Sequence, residues 1–224
     1  MSVTMLNMDC MEYMSGCKDG EFDLAIVDPP YGINWMEQIE NPNTHANWKK
    51  YESKKWDSEI PSEKYFSELF SVSKNQIIWG GNYFALPATP CWVIWDKIQE
   101  FSGATFEMAW TSFKSPAKAF RMARCEAYVG INKIHPTQKP VALYKWLLSR
   151  YAKPGDRILD THGGSGSICI ACHDLGYDLT WMELDADYYA AACERYKNHA
   201  AQESLFDNAA LTAQSAKQED LTWN

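Results

Sequence analysis

Apolar and polar positions follow two rhythms along this chain. Short, almost continuously apolar runs are separated by longer stretches in which apolar residues recur every three or four positions. The run Phe22-Asp23-Leu24-Ala25-Ile26-Val27-Asp28 is the clearest of the first kind. A strand covered on both faces reads that way. Ile77–Trp79, Cys91–Trp95, Phe106–Trp110, Arg157–Asp160 and Leu179–Glu183 predict further strands, and Val3–Leu6 a short one near the start. Pro61-Ser62 opens a helix with Tyr65, Phe66, Leu69 and Phe70 on one face. Thr137 is placed to cap a second helix, with Pro140 in its first turn and a stripe of Leu143, Tyr144, Leu147, Leu148 and Tyr151. A third runs from about Ser167 to Leu175 and stops at Gly176, which suits a C′ position. A fourth follows Asp185 and continues to about His199. Strands alternating with helices predict an α/β fold, a doubly wound and mostly parallel sheet with helices on both faces.

Two stretches break the rhythm. Asn34–Glu59 is polar and punctuated by Trp, and reads as a long loop over about residues 34–60. Ser112–Asn132 is basic and irregular, and lies within an expected insertion over about residues 99–134. Long loops in a compact domain usually carry function or are disordered. The 224 residues therefore predict one domain over residues 1–200 and a flexible tail over 201–224.

Composition narrows the function classes. An apolar fraction of 46% and a mean hydropathy of -0.41 are ordinary for a water-soluble domain. The net charge of -8 argues against a nucleic-acid partner when taken over the whole chain. Its distribution is uneven, however. Lys114, Lys118, Arg121, Arg124, Lys133 and Lys139 lie between residues 111 and 139, against Glu126 alone, so this stretch can either meet phosphates or form a solvated face. The seven cysteines are scattered and odd in number, which predicts a reducing compartment without disulfides. Cys169 and Cys172 sit in an apolar helical pattern without a second ligand pair, and read as helix core, with no metal site expected. The N-terminus shows no basic start followed by an apolar run, and no apolar run reaches membrane-spanning length, so a cytoplasmic location is expected.

Three motifs carry candidate chemistry. The first is Asp28-Pro29-Pro30-Tyr31-Gly32, after a buried strand, where open α/β sheets bind ligands. An exocyclic amine on an aromatic base is flat and weakly nucleophilic, because its lone pair is delocalised into the ring. Two acceptors holding its two hydrogens free that lone pair. The Asp28 carboxylate can be one and the Pro29 carbonyl the other, with the prolines restricting φ and Tyr31 offering a ring to stack on the base. The second motif, Asp160-Thr161-His162-Gly163-Gly164-Ser165-Gly166-Ser167, follows another strand and opens a helix. Glycines let backbone pass close to a ligand, and no Lys follows them, which disfavours an ATP-type loop. Glu183 ends the next strand, roughly twenty residues on, where an acid meets ribose hydroxyls. The third motif, His135-Pro136-Thr137-Gln138-Lys139-Pro140, is a polar turn that can hold a carboxylate or simply start a helix.

Together these motifs resemble those of the amino-methyltransferases that modify DNA bases. Asp28–Tyr31 resembles the family's catalytic motif, the glycine-rich stretch its S-adenosylmethionine motif, and His135–Pro140 its cofactor-carboxylate motif. Asn7-Met8-Asp9-Cys10 is similar to the segment whose acid, here Asp9, contacts the cofactor adenine. The catalytic motif precedes the cofactor motif, which is the family's beta arrangement, and the resemblance covers roughly residues 1–198. It implies the class I S-adenosylmethionine-dependent fold with seven strands, which equals the number read from the pattern. It implies catalytic roles for Asp28, Pro29, Pro30 and Tyr31. It places Asp9, Cys10, Asp28, His135, Thr137, Gln138 and Lys139 around the cofactor, with Asp160, Gly163, Gly164, Ser165, Gly166, Glu183 and Leu184.

The resemblance further implies transfer of a methyl group from S-adenosylmethionine to double-stranded DNA, with the base flipped out of the stack. The target-recognition element would fall on the basic stretch, where Lys114, Lys118, Arg121 and Arg124 are candidate phosphate contacts. Adenine N6 is expected over cytosine N4, since the cytosine enzymes more often begin the motif with Ser. A cofactor-binding subunit that needs a partner chain is the alternative from another class. The short recognition region matches compact phage and prophage forms, and enzymes of restriction-modification type are the wider setting. Members of the beta arrangement often dimerise, so a homodimer is an implied expectation. This chain departs from the family at Thr161-His162, where Pro-aromatic is usual; His162 is expected either to donate a hydrogen bond there or to fill space.

Overall fold

The computed structural model describes residues 1–34, 57–98, 104–129 and 133–202. Most of the long loop, the start of the recognition insertion and nearly all of the tail lie outside the described residues. The described elements are strands β1 (Val3–Leu6), β2 (Leu24–Val27), β3 (Gln76–Trp79), β4 (Trp92–Asp96), β5 (Phe106–Thr111), β6 (Lys118–Arg121), β7 (Arg157–Asp160) and β8 (Asp178–Met182). The helices are α1 (Cys10–Met14), α2 (Glu63–Val72), α3 (Arg124–Ala127), α4 (Val141–Tyr151), α5 (Ser167–Leu175) and α6 (residues 186–202). Among the described residues no helix is long and apolar enough to cross a membrane.

The strands form one sheet in the order β1-β8-β7-β2-β3-β5-β4-β6. Five neighbouring pairs are parallel; β3–β5 and β4–β5 are antiparallel. Period-two alternation along β2 explains its apolar run. Leu24 and Ile26 enter a core with α4 and α5, while Ala25 and Val27 enter a second core with α1 and α2. The doubly wound sheet expected from the alternation of elements is therefore observed. From β2 the chain proceeds to β3 on one side, and from β7 to β8 on the other, so the strand order reverses between β2 and β7. Such a switch point opens a crevice at the carboxyl ends of the strands.

Two expectations need correction. Among the described residues the sheet has eight strands rather than seven, because the basic stretch read as irregular contains β6 and α3. β6 pairs parallel with β4, from Val93↔Lys118 to Asp96↔Arg121. It is a short, largely exposed edge strand with a charge at each end. Edges are commonly protected this way, at the expense of any apolar alternation. Nor does Thr137 cap a helix. Pro140 occupies the N-cap of α4 and makes no side-chain cap bond. A residue before proline is pushed away from helical geometry, so Lys139 cannot begin the helix and it starts after Pro140. By contrast Ser62 caps α2, accepting from the Tyr65 amide at 3.4 Å, and Gly176 closes α5 in the left-handed region at φ 78°. Cys169 and Cys172 are buried in α5, as its apolar pattern implied.

Candidate active site

Asp28 follows β2 and Asp160 ends β7, the two strands of the switch point. One cleft of about 1250 Å³ opens above them. Pockets for a single drug-sized ligand run to about 1000 Å³, so this cleft has room for two bound groups side by side.

The Asp28 carboxylate is the focus of one end. Tyr31 donates its phenol to Oδ1 at 2.5 Å, and Lys139 donates an ion-paired hydrogen bond to Oδ2. The Asp28 side chain keeps 18% exposure towards the cleft, and an ionised carboxylate accepts about four hydrogen bonds, so acceptor capacity remains. Burial pushes the Asp28 carboxyl above its ordinary value, against the pull of Lys139 and Tyr31. The Pro-Pro turn is fixed from outside by Asp57, whose Oδ1 accepts from the amides of Tyr31 at 2.6 Å and Gly32 at 3.1 Å. The Tyr31 ring stacks on Tyr83, with centroids 5.1 Å apart, and a Cβ on Gly80 would lie 2.1 Å from it. One face of the Tyr31 ring is therefore already covered by Tyr83.

The glycine turn forms the other end. A Cβ on Gly163 would meet the Trp181 ring at 1.8 Å, so only glycine lets the backbone lie there. Gly164 (φ 53°) donates its amide to Glu183 Oε2 at 2.8 Å, while the Asp185 amide reaches Oε1 at the same distance. Burial pushes the Glu183 carboxyl up, against these two amides. Asp160 is buried below the turn and accepts from the His162 amide at 3.1 Å. Burial holds its carboxyl well above the usual range. Gly166 N-caps α5 at φ 66°. Asp9 caps α1 through the Met11 amide at 2.6 Å, and burial together with Asp9 pushes the Cys10 thiol up to about 12. The third wall is the turn at His135. Thr137 Oγ1 lies 3.1 Å from His135 Nδ1, and Gln138 Oε1 accepts from the Ile134 amide at 3.1 Å.

Most of the motif residues thus converge, while Asp160 and Gly166, expected beside them, do not line the cleft. Asp28, Pro29, Pro30 and Tyr31 line the cleft, as do His135, Thr137, Gln138 and Lys139. So do Asp9, Cys10, Gly163, Gly164, Ser165, Glu183 and Leu184. The basic candidates do not converge. Arg124 lines the cleft, but Lys114 borders a separate shallow groove beside Pro87 and Trp110. Lys118 and Arg121 sit on the β6 edge, where Arg121 Nε meets Asp96 Oδ2 at 3.0 Å. Three residues escaped the motif reading: Asp57, Lys97 and Glu107. Asp57 lies in a polar run without periodicity, but Glu107 interrupts an apolar strand, and a lone charge there is a usable signal.

His162 is built into the wall. Its Nδ1 lies 2.9 Å from Thr161 Oγ1, which also bonds the Tyr65 hydroxyl at 2.7 Å, and the Tyr65 and His162 rings meet edge to face. Burial lowers its pKa from 6.5 to about 4. The ring is thus neutral when folded and gains its proton more readily unfolded. This stability is complete above pH 6.5 and is lost as pH falls towards 4. At about 1.36 kcal/mol per unit it amounts to at most about 3 kcal/mol, and solvent reaching the ring from the cleft lowers it. His162→Phe is expected to flatten the fall in melting temperature between pH 7 and 4; an unchanged slope would remove His162 as its source.

A family model described as DNA methylase matches residues 89–194. The "Putative methylase YubD" of Escherichia coli (strain K12) is 34% identical over 203 residues, covering 84% of this chain and 87% of its own length. The type II methyltransferase M.HpaI of Haemophilus parainfluenzae is 22% identical, covering 87% and 74%. Among solved structures, the M1.HpyAVI–SAM complex superposes with a TM-score of 0.57 at 17% identity, covering 87% of this chain and all of its own. The cytosine-N4-specific PvuII DNA methyltransferase gives 0.55 at 14% identity, covering 89% and 91%. These structures share the class I methyltransferase fold with this chain. With the motifs gathered in one cleft and a relative matched along most of both lengths, the chain belongs to the DNA methylase family.

Proposed function

We propose that the protein transfers a methyl group from S-adenosylmethionine to the N6 amine of an adenine flipped out of double-stranded DNA. One observation carries the reading: the Asp28 carboxylate and the turn at Gly163–Gly164 face a single cleft large enough for a cofactor and a base. The cofactor supplies an electrophilic methyl group on a sulfonium. The residues present fit it. Glu183 has a lone pair left on each oxygen for ribose hydroxyls after accepting two amides. The turn at His135 and Thr137 presents polar atoms for an amino-acid end, and Asp9 can accept from an adenine amine.

Asp28 accepts one hydrogen of the target amine and the Pro29 carbonyl the other, drawing the nitrogen out of the ring plane. Because these acceptors are fixed before reaction, they need no reorganisation as charge develops. When the nitrogen becomes cationic it sheds a proton, and the half-buried Asp28 carboxylate facing the cleft is placed to take it. The family resemblance favours adenine, since the motif begins with Asp28 rather than Ser.

Incubation with labelled S-adenosylmethionine and unmethylated duplex DNA, followed by digestion and chromatography, tests the reading. N6-methyladenine is the expected product. N4-methylcytosine would replace the base but keep the chemistry. Cofactor binding without transfer to DNA would support a subunit that needs a partner chain.

A further inference from the structure

Behind Asp28 runs a row of alternating charges that the proposed chemistry does not use. Lys139 Nζ pairs with Asp28 Oδ2 and lies 3.3 Å from Glu107 Oε2; Glu107 Oε1 pairs with Lys97 Nζ at 2.8 Å. Both lysines are buried, and Lys139 Nζ lies 5.0 Å over the Trp79 ring, which limits where else it can go. Glu107 comes from β5 and Lys97 directly follows β4, on the opposite side of β2 from the glycine turn. We infer that Lys139 is a positioning residue that keeps Asp28 ionised and aimed at the target amine, and that Glu107 sets how strongly Lys139 does so. This deepens the proposed function and rests on it.

The groups facing Asp28 from each packed element fix the direction of the effect. Tyr31, Tyr65 and Tyr144 are neutral phenols, all pushed up by burial. Asp160, Glu107 and Lys139 are ionisable groups that also act on it or feel its charge. Lys139 favours the Asp28 carboxylate, whereas Glu107 opposes it by direct repulsion and by sharing the lysine. Asp28 can take up the proton released by the amine only when it is ionised. Lys139→Met therefore raises the pH at which activity appears, and Glu107→Gln lowers it. A side chain that merely supports the fold moves neither limb.

Two measurements decide this. One is the pH profile of kcat for wild type, Lys139→Met, Lys139→Arg and Glu107→Gln. The other is a carboxyl-carbon NMR titration of Asp28 in the cofactor-free protein. An opposite charge at this range moves a carboxyl by about 1 unit or more, so Lys139→Met is expected to shift the acid limb and the Asp28 midpoint upward by about that much. Lys139→Arg returns both towards wild type, and Glu107→Gln moves both downward. Identical midpoints in wild type and Glu107→Gln overturn the inference, even if the methionine variant does not fold. If the wild type methylates no DNA amine, the proposed function fails, while the NMR titration still reads the Asp28–Lys139 coupling on its own.

Discussion

Asp28→Ala is expected to lower methyl transfer by about a thousandfold while cofactor affinity stays within a few-fold of wild type. Removing one preorganised partner of a developing charge costs about 10²–10³ in rate. Here the same carboxylate also takes up the released proton. The fold should survive, because Lys139 retains Glu107 as a partner and Tyr31 remains stacked on Tyr83. Asp28→Asn provides a stricter comparison. It keeps the volume but presents an N–H₂ where an acceptor is needed, so it should be nearly as slow. Single-turnover transfer from labelled S-adenosylmethionine, alongside calorimetric cofactor binding, checks both variants. Near-normal turnover in Asp28→Ala would end the role assigned to this residue.

Gly163→Ala is the second large effect. The added methyl would sit 1.8 Å from Trp181, a ring fully buried in the core under β8. The backbone cannot retreat easily, since the Gly163 amide donates to Met182 O at 2.8 Å. Overpacking of this kind costs about 1–3 kcal/mol, and the upper end is expected where the obstacle is a rigid indole. The turn beside Glu183 should distort with it, so cofactor affinity is expected to fall at least tenfold in titration calorimetry, together with a lower melting temperature. An unchanged affinity would mean that the Gly163–Gly164 backbone does not form the cofactor wall.

The parts of the molecule legible in the sequence are those where burial on both faces or a fixed backbone geometry leaves a local mark. β2 reads as a continuous apolar run because Leu24 and Ile26 face one core and Ala25 and Val27 the other. Gly163 stands out because only glycine fits its crowding, and Gly164 and Gly166 because their positive φ favours glycine. The edge strand β6 left no such mark: Lys118 and Arg121 frame only Ala119 and Phe120, and its pairing with β4 is a long-range event. The start of α4 was misplaced because Thr137 looks like a cap locally, whereas Pro140 decides where helical backbone can begin. The charges behind Asp28 were hidden for a similar reason. Lys97 and Glu107 meet across the antiparallel β4–β5 pair, but Lys139 lies some thirty residues further on, and only the fold brings it beside Glu107 and Asp28.

The reversal of strand order at β2 also places two sets of residues on opposite wings of the sheet. β7, β8 and β1 carry the glycine turn, Glu183 and Asp9, while β3, β5, β4 and β6 carry Glu107, Lys97 and the basic edge. Asp28 stands on the seam between them. Substitutions in the second wing can therefore change what that wing touches while the glycine turn, Glu183 and Asp9 on the first keep their arrangement.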